Sequence, residues 1–93
     1  SDVVLYTVSL ADEVLIVATP EPTSMTDAYA TIKVLAMQQS RRELRLVVNQ
    51  VPRSGDGRGV ALQLQQVIDR FVSSAVDTPV RLELLGEVPL DPS

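Results

Sequence analysis

Residues 14–22 of the chain are Val14-Leu15-Ile16-Val17-Ala18-Thr19-Pro20-Glu21-Pro22. The first five are apolar and rich in β-branched side chains, and the two prolines that follow cannot continue a strand. The pattern therefore predicts a short buried strand over Glu13–Ala18. An apolar strand without alternation is typical of a parallel sheet that is covered on both faces.

Helix-like and strand-like stretches alternate along the rest of the chain. Apolar residues at helical spacing over 25–36 predict a helix that ends near Gln39, and Ser24 and Asp27 have the spacing of a capping box at its start. Residues 44–51 and 82–88 predict two more strands, and residues 60–71 predict a second helix. A short helix is expected over 3–10. This order predicts an α/β fold: a three-stranded parallel sheet with crossover helices.

Glycines and carboxylates suggest chemistry only weakly. Residues 52–59 contain three glycines and predict a mobile surface loop, because neither a P-loop lysine nor a G-x-G-x-x-G spacing is present. Gly86 predicts a bulge or a close backbone approach. Glu13, Glu83 and Glu87 are expected to be charges at the rim or facing solvent, since no metal-ligand pattern accompanies them.

Composition excludes several classes of function. With 93 residues, of which 45% are apolar, the chain has room for one small domain with a real core. Cys and His are absent, which excludes disulfides, a Cys or His zinc site and a Cys–His or Ser–His catalytic pair. Twelve acidic residues outnumber eight basic ones, so nucleic-acid binding through a basic face is not expected. No apolar run reaches bilayer length and no signal peptide is visible. The absence of Cys fits the cytoplasm, which is the expected location.

Candidate binding residues follow the predicted strands. Ligands of an open parallel sheet bind beyond the carboxyl ends of its strands. Asn49 follows the second strand, and its amide suits either the edge of a purine base or its own turn backbone. Pro20 and Pro22 either stop a strand and set a helix entry or also take part in binding. Pro89 and Asp91 are ordinary turn residues or part of the same site.

The quoted stretch extends into a longer block that carries a resemblance. The sequence from Ala11 to Ala30, with Thr-Pro-Glu-Pro-Thr and Thr-Asp-Ala-Tyr inside it, resembles the MinD/ParA-type deviant-Walker ATPases. Within them it is similar to the FlhG-type regulators of flagellar number and placement. Leu46-Val47-Val48-Asn49-Gln50-Val51 and Leu85-Gly86-Glu87-Val88-Pro89-Leu90-Asp91 resemble two further segments of the same superfamily.

The resemblance implies a role for particular residues. Asn49 is implied to contact the nucleotide base, and Pro89, Leu90 and Asp91 are implied to form the loop that closes over the adenine. A second group is implied to face a second subunit or a partner protein: Pro20, Glu21, Pro22, Thr23 and Asp27. The family uses ATP and Mg²⁺, and it contacts flagellar switch or regulator proteins or an SRP-type GTPase.

The same comparison implies that residues 1–93 form one partial domain, the C-terminal half of a doubly wound P-loop NTPase-like fold. The Walker A motif and the catalytic aspartate are absent from these residues, so they are expected to hold no catalytic residue, metal site or cofactor and to be inactive as an ATPase alone. The C-terminal helix that places the family peripherally on the membrane is absent too. Alternatives are a fragment of a division-site or partition ATPase, and a stand-alone interaction domain.

A homo-oligomer is also expected. Strands without alternation need cover on both faces, whereas two helices that follow strands in sequence order lie on one face. Only residues 3–10 are available for the second face, and the first strand is expected to have an open edge. Exposed apolar surface of that extent is unusual in a monomer.

Overall fold

A computed structural model describes residues 5–10, 13–39 and 41–90, without the side chains of residues 5–10 and 13. It has an α/β fold. In chain order the elements are β1 (Leu5–Leu10), β2 (Glu13–Ala18), α1 (Pro22–Gln38), β3 (Glu43–Val51), α2 (Asp56–Val67), a π-helical turn (Ile68–Val72), α3 (Ser73–Val76) and β4 (Arg81–Pro89). The two predicted helices and the three parallel strands are therefore present.

The strands form one sheet in the order β1-β2-β3-β4. β2, β3 and β4 are parallel, as predicted, and β1 runs antiparallel to β2. The helix predicted over 3–10 is therefore wrong for residues 5–10, while Val3 and Val4 lie outside the described residues. A six-residue segment forms few bonds within a helix, whereas pairing with β2 gives its backbone a full ladder of partners. The open edge predicted for the first parallel strand is therefore wrong, because β1 pairs along that edge of β2.

Both helices cover the same face of the sheet. Side chains along β3 alternate between buried and more exposed positions, with Leu44, Leu46 and Val48 on the buried face. The core joins them to Ile16 of β2, Ile32 of α1 and their neighbours in α2. On the other face Leu15, Val17 and Val47 are only half-buried. The apolar sequence of β2 and β3 predicted burial on both faces. Within the described residues, only the face that carries the helices is fully buried.

Two polar side chains, Gln65 and Arg42, fix the start of β4 and the end of α1. The Gln65 amide donates to the Val80 carbonyl at 2.9 Å and accepts from the Leu82 N–H at 2.8 Å. Arg42 donates to the Ala36 carbonyl at 2.7 Å, so it satisfies an acceptor in the last turns of α1. Because the Gln65 bonds join α2 to the backbone at the start of β4, they hold this helix in register with the sheet.

The second helical segment does not wind uniformly. Ile68 and Val72 lie in the π-helical turn and are fully buried. Phe71, which the sequence placed on the apolar stripe, is 54% exposed, and the guanidinium of Arg70 lies 5.3 Å from the centre of its ring. The helix after Gly55 thus buries Val60, Leu64, Ile68 and Val72, at a spacing of four residues.

Candidate functional site

Three segments meet at the carboxyl edge of the sheet, as the sequence predicted. Ala18, the last residue of β2, pairs with Val48 of β3, and Val51 of β3 pairs with Pro89 of β4. The residues just beyond these pairs are therefore neighbours along one edge. They comprise the start of the β2–α1 connection, the residues Asn49 and Gln50, and the end of β4. Asp91 lies outside the described residues.

Asn49 lies in an interruption of the β3–β4 ladder. The pairing shifts register between Val48 and Val51, and Gln50 has a φ of 57°. The Asn49 Oδ1 accepts a hydrogen bond from the Gln50 N–H at 2.9 Å. The sequence allows two roles for Asn49, and the structure contains the bond to the turn backbone, which comes from the N–H of the next residue. The side chain is partly exposed, and its role toward a base stays a prediction.

The segment implied to close over the adenine is tied to β3. The Leu90 N–H donates to the Val51 carbonyl at 2.9 Å, which continues the pairing beyond β4. The Leu90 side chain is 52% exposed, and Pro89 is exposed as well. The backbone of this loop is therefore held while its side chains are open to a ligand or to another segment.

The β2–α1 connection is built around a buried hydroxyl. The Ser24 Oγ accepts from the Thr19 N–H at 2.8 Å, and the Thr19 Oγ1 accepts from the Glu21 N–H at 3.3 Å. The prediction that Ser24 caps α1 is wrong, because the helix begins at Pro22 with Glu21 as its N-cap and without a side-chain cap. Proline suits this first position, since it has no N–H to satisfy and its φ is already helical.

The residues implied to form a partner surface are mostly open to solvent. Glu21, Pro22, Thr23 and Asp27 are exposed, and Pro20 is partly exposed. They form the entry to α1 and its first turn beside the carboxyl edge of the sheet. This position is compatible with contact to another protein, which stays a prediction.

The glycine-rich segment is not a mobile loop over its whole length. α2 begins at Asp56, so Gly57, Arg58 and Gly59 are helical, and only residues 52–55 form the connection. The Glu87 carboxylate accepts from the Gly55 N–H and from the Gly57 N–H, each at 2.9 Å. Glu87 is therefore not a solvent-facing charge. No local pattern could have found this contact, because about thirty residues separate its partners.

The other two carboxylates differ from Glu87. Glu83 is a rim charge, as predicted: its side chain is 64% exposed and lies 3.7 Å from the Arg45 guanidinium. The side chain of Glu13 lies outside the described residues. Gly86 follows a bulge in β4, since Leu46 pairs with Leu84 and Val47 with Gly86. This confirms the predicted bulge, while a Cβ on Gly86 would meet no neighbour within 4 Å.

A groove lies between α1 and α2 that the sequence pattern did not predict. It has a volume of about 380 Å³, and its apolar lining comes from Met25 and Tyr29 on α1 and from Leu64 and Val67 on α2. The helical spacing of these residues predicted burial against the sheet. Met25, Tyr29 and Val67 are only half-buried along this groove, which their spacing alone does not predict.

The described side chains offer limited chemistry. Across residues 14–39 and 41–90, no group of three or more acidic side chains is placed to hold a metal ion. The Asn49 amide fits the edge of a base, because Nδ2 is a donor and Oδ1 has a second lone pair. In the same ranges neither a Walker-type lysine nor a magnesium-binding carboxylate cluster is present to fit ATP phosphates. No helix there is long and apolar enough to cross a bilayer.

Comparisons with known proteins identify relatives among flagellar regulators. No protein-family model matches the chain. It is 38% identical over 92 residues to the antiactivator FleN of Pseudomonas aeruginosa, covering 99% of this chain and 31% of FleN. It is 36% identical over 78 residues to the flagellum site-determining protein YlxH of Helicobacter pylori, covering 84% of this chain and 24% of YlxH. The chain thus spans about a quarter to a third of the length of these relatives.

Proposed function

We propose that this chain, a homologue of one segment of the FlhG-type flagellar regulators FleN and YlxH, supplies the base-side wall and a protein-contact surface of a MinD-like ATPase. The whole protein then uses ATP and Mg²⁺ to control flagellar number or placement, in the cytoplasm and peripherally at the membrane. Its partners are flagellar switch or regulator proteins or an SRP-type GTPase. The groups that bind the phosphates and Mg²⁺ belong to residues outside these 93.

The observation that carries the base-side role is the meeting of Asn49 with the end of β4 at the carboxyl edge of the sheet. Ligands of open parallel sheets bind at this edge. The Asn49 side chain is held by the Gln50 N–H through one lone pair of Oδ1, which leaves a donor and an acceptor direction for a base. The tethered backbone at Leu90 supplies a wall beside it.

The test is Asn49→Ala in the full-length protein. We expect ATP binding to weaken by about 1–3 kcal/mol, because the base loses its amide partner, and we expect the preference for ATP over GTP to decrease. Calorimetric titration with both nucleotides measures this. Gln38→Ala is the matched control, since Gln38 is an exposed amide at the far end of α1. Unchanged affinity and selectivity in Asn49→Ala would remove the base contact from the proposal.

A second role, contact with another copy of the chain, is supported by the groove between α1 and α2. The groove is lined mainly by apolar atoms, and it is continuous along α1 with the exposed turn that contains Thr23 and Asp27. Exposed Leu62 and Phe71 add apolar surface on the second helical segment. Only a contiguous exposed apolar patch marks a contact site between proteins, so the oligomeric state tests whether these residues form one.

Light scattering coupled to size exclusion tests this second role. We expect a mass above the 10.1 kDa of one chain at high concentration. Met25→Glu places a charge in the groove and should lower that mass, whereas Gln38→Glu on the same helix should not. A single-chain mass at every concentration would contradict the homo-oligomer.

Two further functions remain alternatives: a fragment of a division-site or partition ATPase, and a stand-alone interaction domain. A reading frame encoding a Walker A motif upstream excludes the latter.

A further inference from the structure

We infer that Glu87 is a positioning residue, which holds the segment from Asn49 to Gly57 against β4. Its two carboxylate oxygens each accept one N–H, Oε2 from Gly55 and Oε1 from Gly57. These two donors belong to the orphan N–H groups at the start of α2, where a negative charge is also favoured by the helix dipole. No other side-chain bond to these two N–H groups occurs in the part of the chain that the structure describes.

The close approach of Glu87 leaves no room for a side chain at position 57. A Cβ on Gly57 would lie 2.7 Å from the Glu87 Oε1 and 2.9 Å from its Cβ. A glycine is therefore required at this position for the close approach of the two segments. Gly55, the N-cap of α2, has a φ of 96°, which is also a conformation that favours glycine.

Glu87 lies at one end of the interruption that contains Asn49. Its backbone pairs with Val48, just before the register shift, and Pro89 pairs with Val51, just after it. The Leu90 N–H bonds to Val51 from the same strand. Asn49 and Gln50 are thus flanked on both sides by residues of β3 that pair with β4. The Glu87 carboxylate holds the chain further along, at Gly55 and Gly57.

This inference rests on the proposed function in one respect: the orientation of Asn49 matters for nucleotide only if Asn49 contacts the base. The tether itself can be measured without nucleotide. Glu87→Gln keeps the shape of the side chain but supplies one oxygen for two donors, so one N–H loses its acceptor. If Glu87 positions the whole segment, the effect extends beyond the glycines to the Gln50 and Leu90 amides.

The first experiment is amide hydrogen exchange on full-length Glu87→Gln. We expect exchange of the Gln50 and Leu90 amides to become about fivefold faster or more, because opening of the segment becomes easier. Gly57→Ala should have the same effect from the opposite side of the contact. Gly59→Ala is the matched control, since a Cβ there meets no atom within 4 Å. Accelerated exchange confined to Gly55 and Gly57 would overturn the inference.

The second experiment measures ATP and GTP affinities of Glu87→Gln, Asn49→Ala and the double variant. We expect Glu87→Gln to raise the ATP Kd by about threefold to tenfold and to reduce the preference for ATP. In the Asn49→Ala background the added effect on that preference should vanish. If Asn49→Ala alone lowers the preference for ATP, an equal loss for ATP and GTP in Glu87→Gln would mark a merely structural residue and overturn the inference. If Asn49→Ala alone leaves the preference unchanged while Gln50 exchange is faster in Glu87→Gln, the proposed base contact fails and the positioning of the segment stands.

Discussion

Removal of one buried hydroxyl should destabilise the protein measurably. Ser24→Ala deletes the Oγ that accepts from the Thr19 N–H at 2.8 Å. Both residues are buried, with exposed fractions of 0% for Ser24 and 6% for Thr19. The Thr19 amide is then left in the interior without that acceptor, a change that costs about 1–3 kcal/mol in comparable sites.

A smaller effect of opposite sign accompanies this loss. Ser24 lies in the first turn of α1, where alanine has the better helix propensity by about 0.5 kcal/mol. We therefore expect a net decrease of about 0.5–2.5 kcal/mol in the free energy of unfolding. With a urea dependence of about 1 kcal/mol per M, typical for small domains, the unfolding midpoint falls by roughly 0.5–2.5 M.

Thr26→Ala is the matched control for this measurement. Its hydroxyl also makes a bond in the first turns of α1, to the Pro22 carbonyl at 3.0 Å, but that bond is exposed. Loss of an exposed bond leaves the carbonyl accessible to water, so its cost should stay within about 0.5 kcal/mol. Equal midpoints for Ser24→Ala and Thr26→Ala would refute the reasoning, because the Thr19 amide would then have another acceptor.

The remaining predictions concern the core, the rim and the isolated chain. Ile68→Ala should lower the free energy of unfolding by about 2–5 kcal/mol, since Ile68 is fully buried. Phe71→Ala should cost about 1 kcal/mol or less, and urea melts that give the opposite order would contradict the assignment of the buried stripe. Glu83→Gln should change stability by less than about 1 kcal/mol, because its ion pair with Arg45 is exposed, and added salt should reduce even that difference. The 93-residue chain alone should release no phosphate from ATP and should bind ATP with a Kd above about 1 mM, because most affinity in such sites comes from charge-assisted phosphate contacts. Phosphate release above a buffer blank, or a micromolar Kd by calorimetry, would contradict this expectation.

The sequence predicted those elements whose pattern is local. The apolar run 14–18 and the prolines after it placed β2, and the stripe from Met25 to Ala36 placed α1, because burial against a sheet selects residues at regular spacing. Asn49 and the end of β4 could be assigned to one edge, since parallel strands end at the same side.

Other features depended on contacts between distant residues. β1 forms a strand because the edge of β2 offers a ladder, which residues 5–10 do not encode by themselves. Ser24 has the spacing of a capping residue, but Pro22 starts the helix earlier and turns the hydroxyl toward Thr19. Glu87 finds its donors across about thirty residues. Glycines at 55, 57 and 59 have the composition of a loop, but α2 begins among them, and the Glu87 carboxylate accepts from two N–H groups at its start.

The π-helical turn has a consequence for the winding of the whole second helical segment. Residues four apart in a regular α-helix are separated by about 400° of rotation, so a stripe with that spacing drifts about 40° at each step. Val60, Leu64, Ile68 and Val72 nevertheless stay buried together. The wider turn over Ile68–Val72 winds more slowly and absorbs part of the drift. It acts as a phase correction: one extra residue in this turn brings Val72 back toward the face that Ile68 occupies.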